Sequence, residues 1–128
     1  MVSQTKAPVT YHGEVLGEAK DAAYQNANIY VLPSLSEGMP VTVLEALSFG
    51  NPCIVTPNTN MAELITAANA GWVCAPTVDG ITESLAKAYV EYRSDRDGYV
   101  QRAMQAAVPY DWNMIAETSV KEYARLIQ

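Results

Sequence analysis

Two acids, Glu37 and Glu45, stand in the stretch SEGMPVTVLEALSFGNP, residues 36–52, where a polar loop gives way to an apolar helical pattern. Pro40 suits the first turn of a helix, where its missing N–H costs nothing, and Gly38 lets the backbone come close to a ligand. A helix starting there presents free N–H groups and a positive dipole end, an arrangement that favours phosphate. Glu37 then falls in the loop before the helix and Glu45 about one turn inside it. The pattern over 41–49, VTVLEALSF, is apolar nearly all round, so Glu45 needs an explanation. A buried, unpaired carboxylate is costly, whereas one lining a polar cleft accepts hydrogen bonds from hydroxyl groups, which a sugar or a ribose supplies. The plainer alternative stays open: Glu45 as a half-exposed helix residue and Glu37 as a complement to the helix dipole.

The elements around these residues read as successive strand–helix units. VTYHGEV from Val9 predicts a short strand ended by Gly13, GEAKDAAYQNAN a helix of about three turns, and IYVLPS from Ile29 a strand buried on both faces. After the acidic motif come a strand at CIVTP, a short helix at NMAELITAAN with Asn60 as its N-cap candidate, and a strand at GWVCAP. ITESLAKAYVEYRSD repeats apolar residues at helical spacing, and two further helical segments follow, around Tyr99–Ala107 and Met114–Ile127. Such alternation implies an α/β fold, a Rossmann-like parallel sheet of about four strands flanked by helices, with ligands bound beyond the carboxyl ends of the strands. Residues 1–8 read as a leader or junction, 9–128 as the folded part and 112–128 as a terminal helix.

At 128 residues the chain accommodates one small core. The net charge of −6 argues against nucleic acid as a partner, since phosphate backbones are bound by clustered Lys and Arg. The basic residues also avoid the middle of the chain, none following Lys20 until Lys87. Cys53 and Cys74 lie in apolar runs without metal-ligand spacing and read as reduced core thiols. No stretch is apolar over the ~20 residues that span a bilayer, so no transmembrane segment is expected and a cytoplasmic location is the default.

LPSLSEGMPVTVLEALSFGNPCIVTP resembles the donor-binding segment of the glycosyltransferase group 1 proteins, family 4, retaining enzymes of the GT-B fold. The match falls on Ser34, Glu37, Gly38, Pro40, Glu45, Ala46, Gly50 and Pro52, and the flanking strand and helix patterns extend it from about Val9 to the end. The resemblance implies the truncated carboxyl-terminal, nucleotide-sugar-binding lobe of such an enzyme, with a place at the membrane periphery open to its parent. It implies that Glu37 contacts donor-sugar hydroxyls at the catalytic centre by electrostatic positioning, while backbone around Gly38, Met39 and Pro40 holds sugar and diphosphate. Glu45 would bind the ribose, with Ser34 and Val41 completing the donor-binding set. The substrate would be a nucleotide-diphosphate sugar, with no metal and no cofactor.

The chain departs from the family where a Gly-Gly pair is usual: here Thr56, Pro57, Asn58, Thr59 and Asn60 precede Glu63, which reads as an exposed helix residue. The two units that would supply an Arg and a Lys to the diphosphate are absent, as is the acceptor lobe, so the chain alone is expected to be inactive. Their absence would leave Ile29–Leu32 as an open edge and favour a homo-oligomer through it. A non-catalytic interaction module, or one half of a split enzyme, is the alternative.

Overall fold

The computed structural model describes residues 8–35, 41–110 and 120–127. Among these, helices and strands alternate as α1 (Gly17–Asn26), β1 (Tyr30–Leu32), α2 (Val41–Ser48), β2 (Cys53–Val55), α3 (Ala62–Ala68), β3 (Gly71–Val73), α4 (Val78–Ser94) and α5 (Arg96–Ala107), with 3-10 turns at Pro57–Thr59 and Val108–Tyr110. Residues 120–126 are helical. The strands form one parallel sheet in the order β1-β2-β3, with Tyr30 opposite Cys53 and Cys53 opposite Gly71.

β2 is central and every residue of it is fully buried, because both faces of the sheet are covered. Cys53 and Val55 point into a cluster made with Val43, Ala46 and Leu47 of α2, Ile65 of α3 and the alanines of α5. Ile54 points the other way, toward Trp72, Cys74, Ala88, Tyr92 and Tyr99. This alternation follows from the two-residue period of a strand and makes a doubly covered sheet from three short strands.

Two expectations are corrected. The fourth strand, at Val9–His12, is absent: residues 8–16 carry no strand, and Tyr11 is 80% exposed. A β-prone sequence forms a strand only where a neighbour receives its backbone hydrogen bonds, and none of the described residues does so. β1 is half-buried rather than buried on both faces, because it lies at the sheet edge.

Helix ends follow local chemistry. Gly50, at φ 85°, closes α2: its N–H donates to the Leu47 carbonyl at 2.9 Å and the Asn51 N–H to that of Ala46 at 3.0 Å. That pair of bonds requires a left-handed residue, which glycine adopts without strain. Asn69 does the same for α3, with the Ala70 N–H donating to the Ile65 carbonyl at 3.0 Å. Asn60 is not the cap of α3; it takes the left-handed conformation that ends the 3-10 turn, and Met61 precedes the helix.

Candidate functional site

α2 leaves β1 at the carboxyl edge of the sheet, so its first turn lies there, and α1 packs beside it. The loop after β1 reaches that edge with Ser34 half-buried, and the buried Thr56, beyond β2, donates its hydroxyl to the Ser34 carbonyl. Thr59 in turn donates to the Thr56 carbonyl at 2.8 Å. Two buried threonines thereby link Ser34, one of the candidate donor-binding residues, to the turn after β2. They gave no signal in advance, since their role depends on β1 and β2 being neighbours.

Of the candidate residues, Glu37, Gly38, Met39 and Pro40 lie outside the described residues. Val41 opens α2 and is 57% exposed, so its side chain is open to a ligand. Glu45 lies one turn further on, between the buried Val43 and Ala46. Its carboxylate is gripped from α1: the Tyr24 hydroxyl donates to Oε2 at 3.1 Å, and Lys20 Nζ stands 3.3 Å from Oε1. Both ionic side chains keep about a third of their surface open, 37% for Lys20 and 31% for Glu45.

Tyr24 is itself held firmly. Its ring stacks on Phe49 with centroids 5.4 Å apart, and its carbonyl accepts the Asn51 side-chain amide at 2.8 Å. Burial, reinforced by the hydrogen bond to the Glu45 carboxylate, pushes its phenol well above the ordinary range, so it stays a donor at neutral pH.

α1 packs beside α2 and brings Lys20 to the Glu45 carboxylate across 25 positions of sequence. Glu63 is exposed on α3, and Cys53 and Cys74 are buried free thiols, as read from the sequence. Among the described residues no group of acids, histidines and cysteines is placed to hold a metal ion.

Two shallow hollows mark the surface elsewhere. One, of about 590 Å³, lies at the amino edge among Asn28, Ile29, Tyr89, Tyr92, Arg93 and Arg96. The other, of about 730 Å³, runs between residues 12–16 and the alanine face of α1. Neither is lined by Ser34, Val41 or Glu45.

A parallel sheet with helices on both faces and a carboxylate held at its carboxyl edge define a Rossmann-like lobe. Residues 4–105 match the family of glycosyl transferases group 1, and the chain belongs to that family. It is 35% identical over 105 residues to N,N'-diacetylbacillosaminyl-diphospho-undecaprenol alpha-1,3-N-acetylgalactosaminyltransferase of Campylobacter jejuni, covering 81% of this chain and 28% of that one. It is 28% identical over 119 residues to O-antigen chain mannosyltransferase B of Escherichia coli, covering 92% of this chain and 30% of that one. The chain thus spans less than a third of the length of these relatives. Sucrose-phosphate synthase from Thermosynechococcus elongatus shares the fold, with a TM-score of 0.73 at 19% identity over 82% of this chain and 27% of that one. The architecture is that of the carboxyl-terminal lobe of a GT-B glycosyltransferase. No described helix is long and apolar enough to cross a membrane.

Proposed function

We propose that this chain is the donor-binding part of a retaining glycosyltransferase that moves a hexose from a nucleotide-diphosphate sugar to an acceptor. In this reading Glu45 accepts hydrogen bonds from the ribose hydroxyls, and Ser34 and Val41 flank the nucleotide. The loop Glu37, Gly38, Met39 and Pro40 cradles sugar and diphosphate, with Glu37 stabilising charge at the reacting sugar. The observation that carries the reading is the Glu45 carboxylate, one turn into a helix that starts at the carboxyl edge of the sheet, partly open and oriented by α1. Ligands of parallel sheets gather at that edge. Transfer itself needs the acceptor lobe, so the chain alone binds donor without turning it over, and the assembled enzyme works in the cytoplasm or at the membrane surface.

Titration with UDP, GDP and ADP by saturation-transfer NMR or calorimetry tests the assignment. One of the three binds, and Glu45→Ala weakens that binding at least about tenfold, the loss expected for hydrogen bonds to a charged group.

Silence toward all three nucleotides would favour the alternative, a non-catalytic interaction module.

A further inference from the structure

We infer that Tyr24 and Lys20 of α1 are positioning residues for Glu45, each occupying one carboxylate oxygen so that the remaining lone pairs face a ligand diol; this rests on the donor-site reading above. A carboxylate offers about four acceptor sites on two oxygens. Tyr24 takes one on Oε2 and Lys20 one on Oε1, which leaves one on each oxygen for neighbouring hydroxyls. A glutamate on an exposed helix face samples several rotamers, and ordering it costs binding energy; anchoring both oxygens beforehand removes that cost.

A purely structural role explains the pair poorly. The Tyr24 hydroxyl also lies 3.4 Å from the Thr42 carbonyl, so it has an acceptor without Glu45. The ion pair is about a third exposed, where such pairs contribute little to stability. The ring of Tyr24, fixed against Phe49 and Tyr30, gives the hydroxyl a constant position, while the open Lys20 ammonium adjusts to what binds.

The test compares UDP, GDP and ADP with their 2′,3′-dideoxy forms on the wild-type chain and on Tyr24→Phe, Lys20→Met, Lys20→Arg and Glu45→Gln. Wild type prefers the diol form, and Glu45→Gln abolishes the preference. Tyr24→Phe and Lys20→Met each reduce it severalfold, up to about tenfold, chiefly by weakening diol binding, and Lys20→Arg restores most of it. Thermal melts check folding; should Tyr24→Phe not fold, Lys20→Met, at a partly exposed side chain, decides alone. If Glu45→Gln abolishes the preference while Lys20→Met and Tyr24→Phe leave it unchanged, the positioning role is overturned and the donor site stands. If no nucleotide binds wild type, or Glu45→Gln keeps the preference, the donor-site reading falls and the positioning role with it.

Discussion

Single residues here matter most where the backbone leaves no alternative. Gly71 opens β3 at φ 156°, and a Cβ placed there would fall on the Cys53 carbonyl oxygen of the neighbouring strand. Gly71→Ala must therefore push β2 and β3 apart, with an expected loss of about 2–4 kcal/mol, measured by urea denaturation. From sequence, Gly71 reads as the start of the GWVCAP strand, but its steric role needs the register between two strands. Glu45 shows the converse: its oddity in an apolar helix was visible in the sequence, while its partners Tyr24 and Lys20 were not.

At the scale of elements, α4, α5 and β3 meet through one carboxylate. Trp72 Nε1 donates to Glu91 Oε2 at 2.6 Å and the Tyr99 hydroxyl to the same oxygen at 3.2 Å, while the Trp72 and Tyr99 rings stack 4.9 Å apart. Glu91→Leu leaves two part-buried donors without their acceptor, and thermal unfolding should register a loss of about 1–3 kcal/mol. Nothing in the sequence pointed to Glu91, since a glutamate on an amphipathic helix reads as solvated. β1 presents a second case. Its outer edge has no partner strand among the described residues, and an unpaired edge is a template for another strand. Self-association through it is expected, seen as concentration-dependent elution in gel filtration; a strict monomer across concentrations overturns it.

Among the described residues, burial holds four neutral groups above their ordinary values: Tyr24, Tyr99, Cys53 and Cys74. A raised folded-state value means the native chain holds protons that the unfolded chain releases. The stability involved is present below the ordinary thiol and phenol values, 9.0 and 10.0, and is lost as pH rises beyond them. Denaturant unfolding should thus show falling stability from about pH 9 upward, and Tyr24→Phe should flatten that decline by removing one of the four groups. The charge of −6 acts in the same direction, as each further ionisation adds to self-repulsion.

The sequence by itself determined the α/β class, the positions of the three strands, the helices between them and the place of Glu45 in the helix after β1. All of these rest on local periodicity, proline and glycine punctuation, and one run of chemically suggestive residues. Only the tertiary structure decided that Val9–His12 is no strand, that β1 is half-buried, and that Lys20 and Tyr24 hold Glu45. The physical reason is common to all three: strand formation, burial and carboxylate pairing depend on neighbours distant in sequence, and a period of two or 3.6 residues carries no information about which surfaces meet.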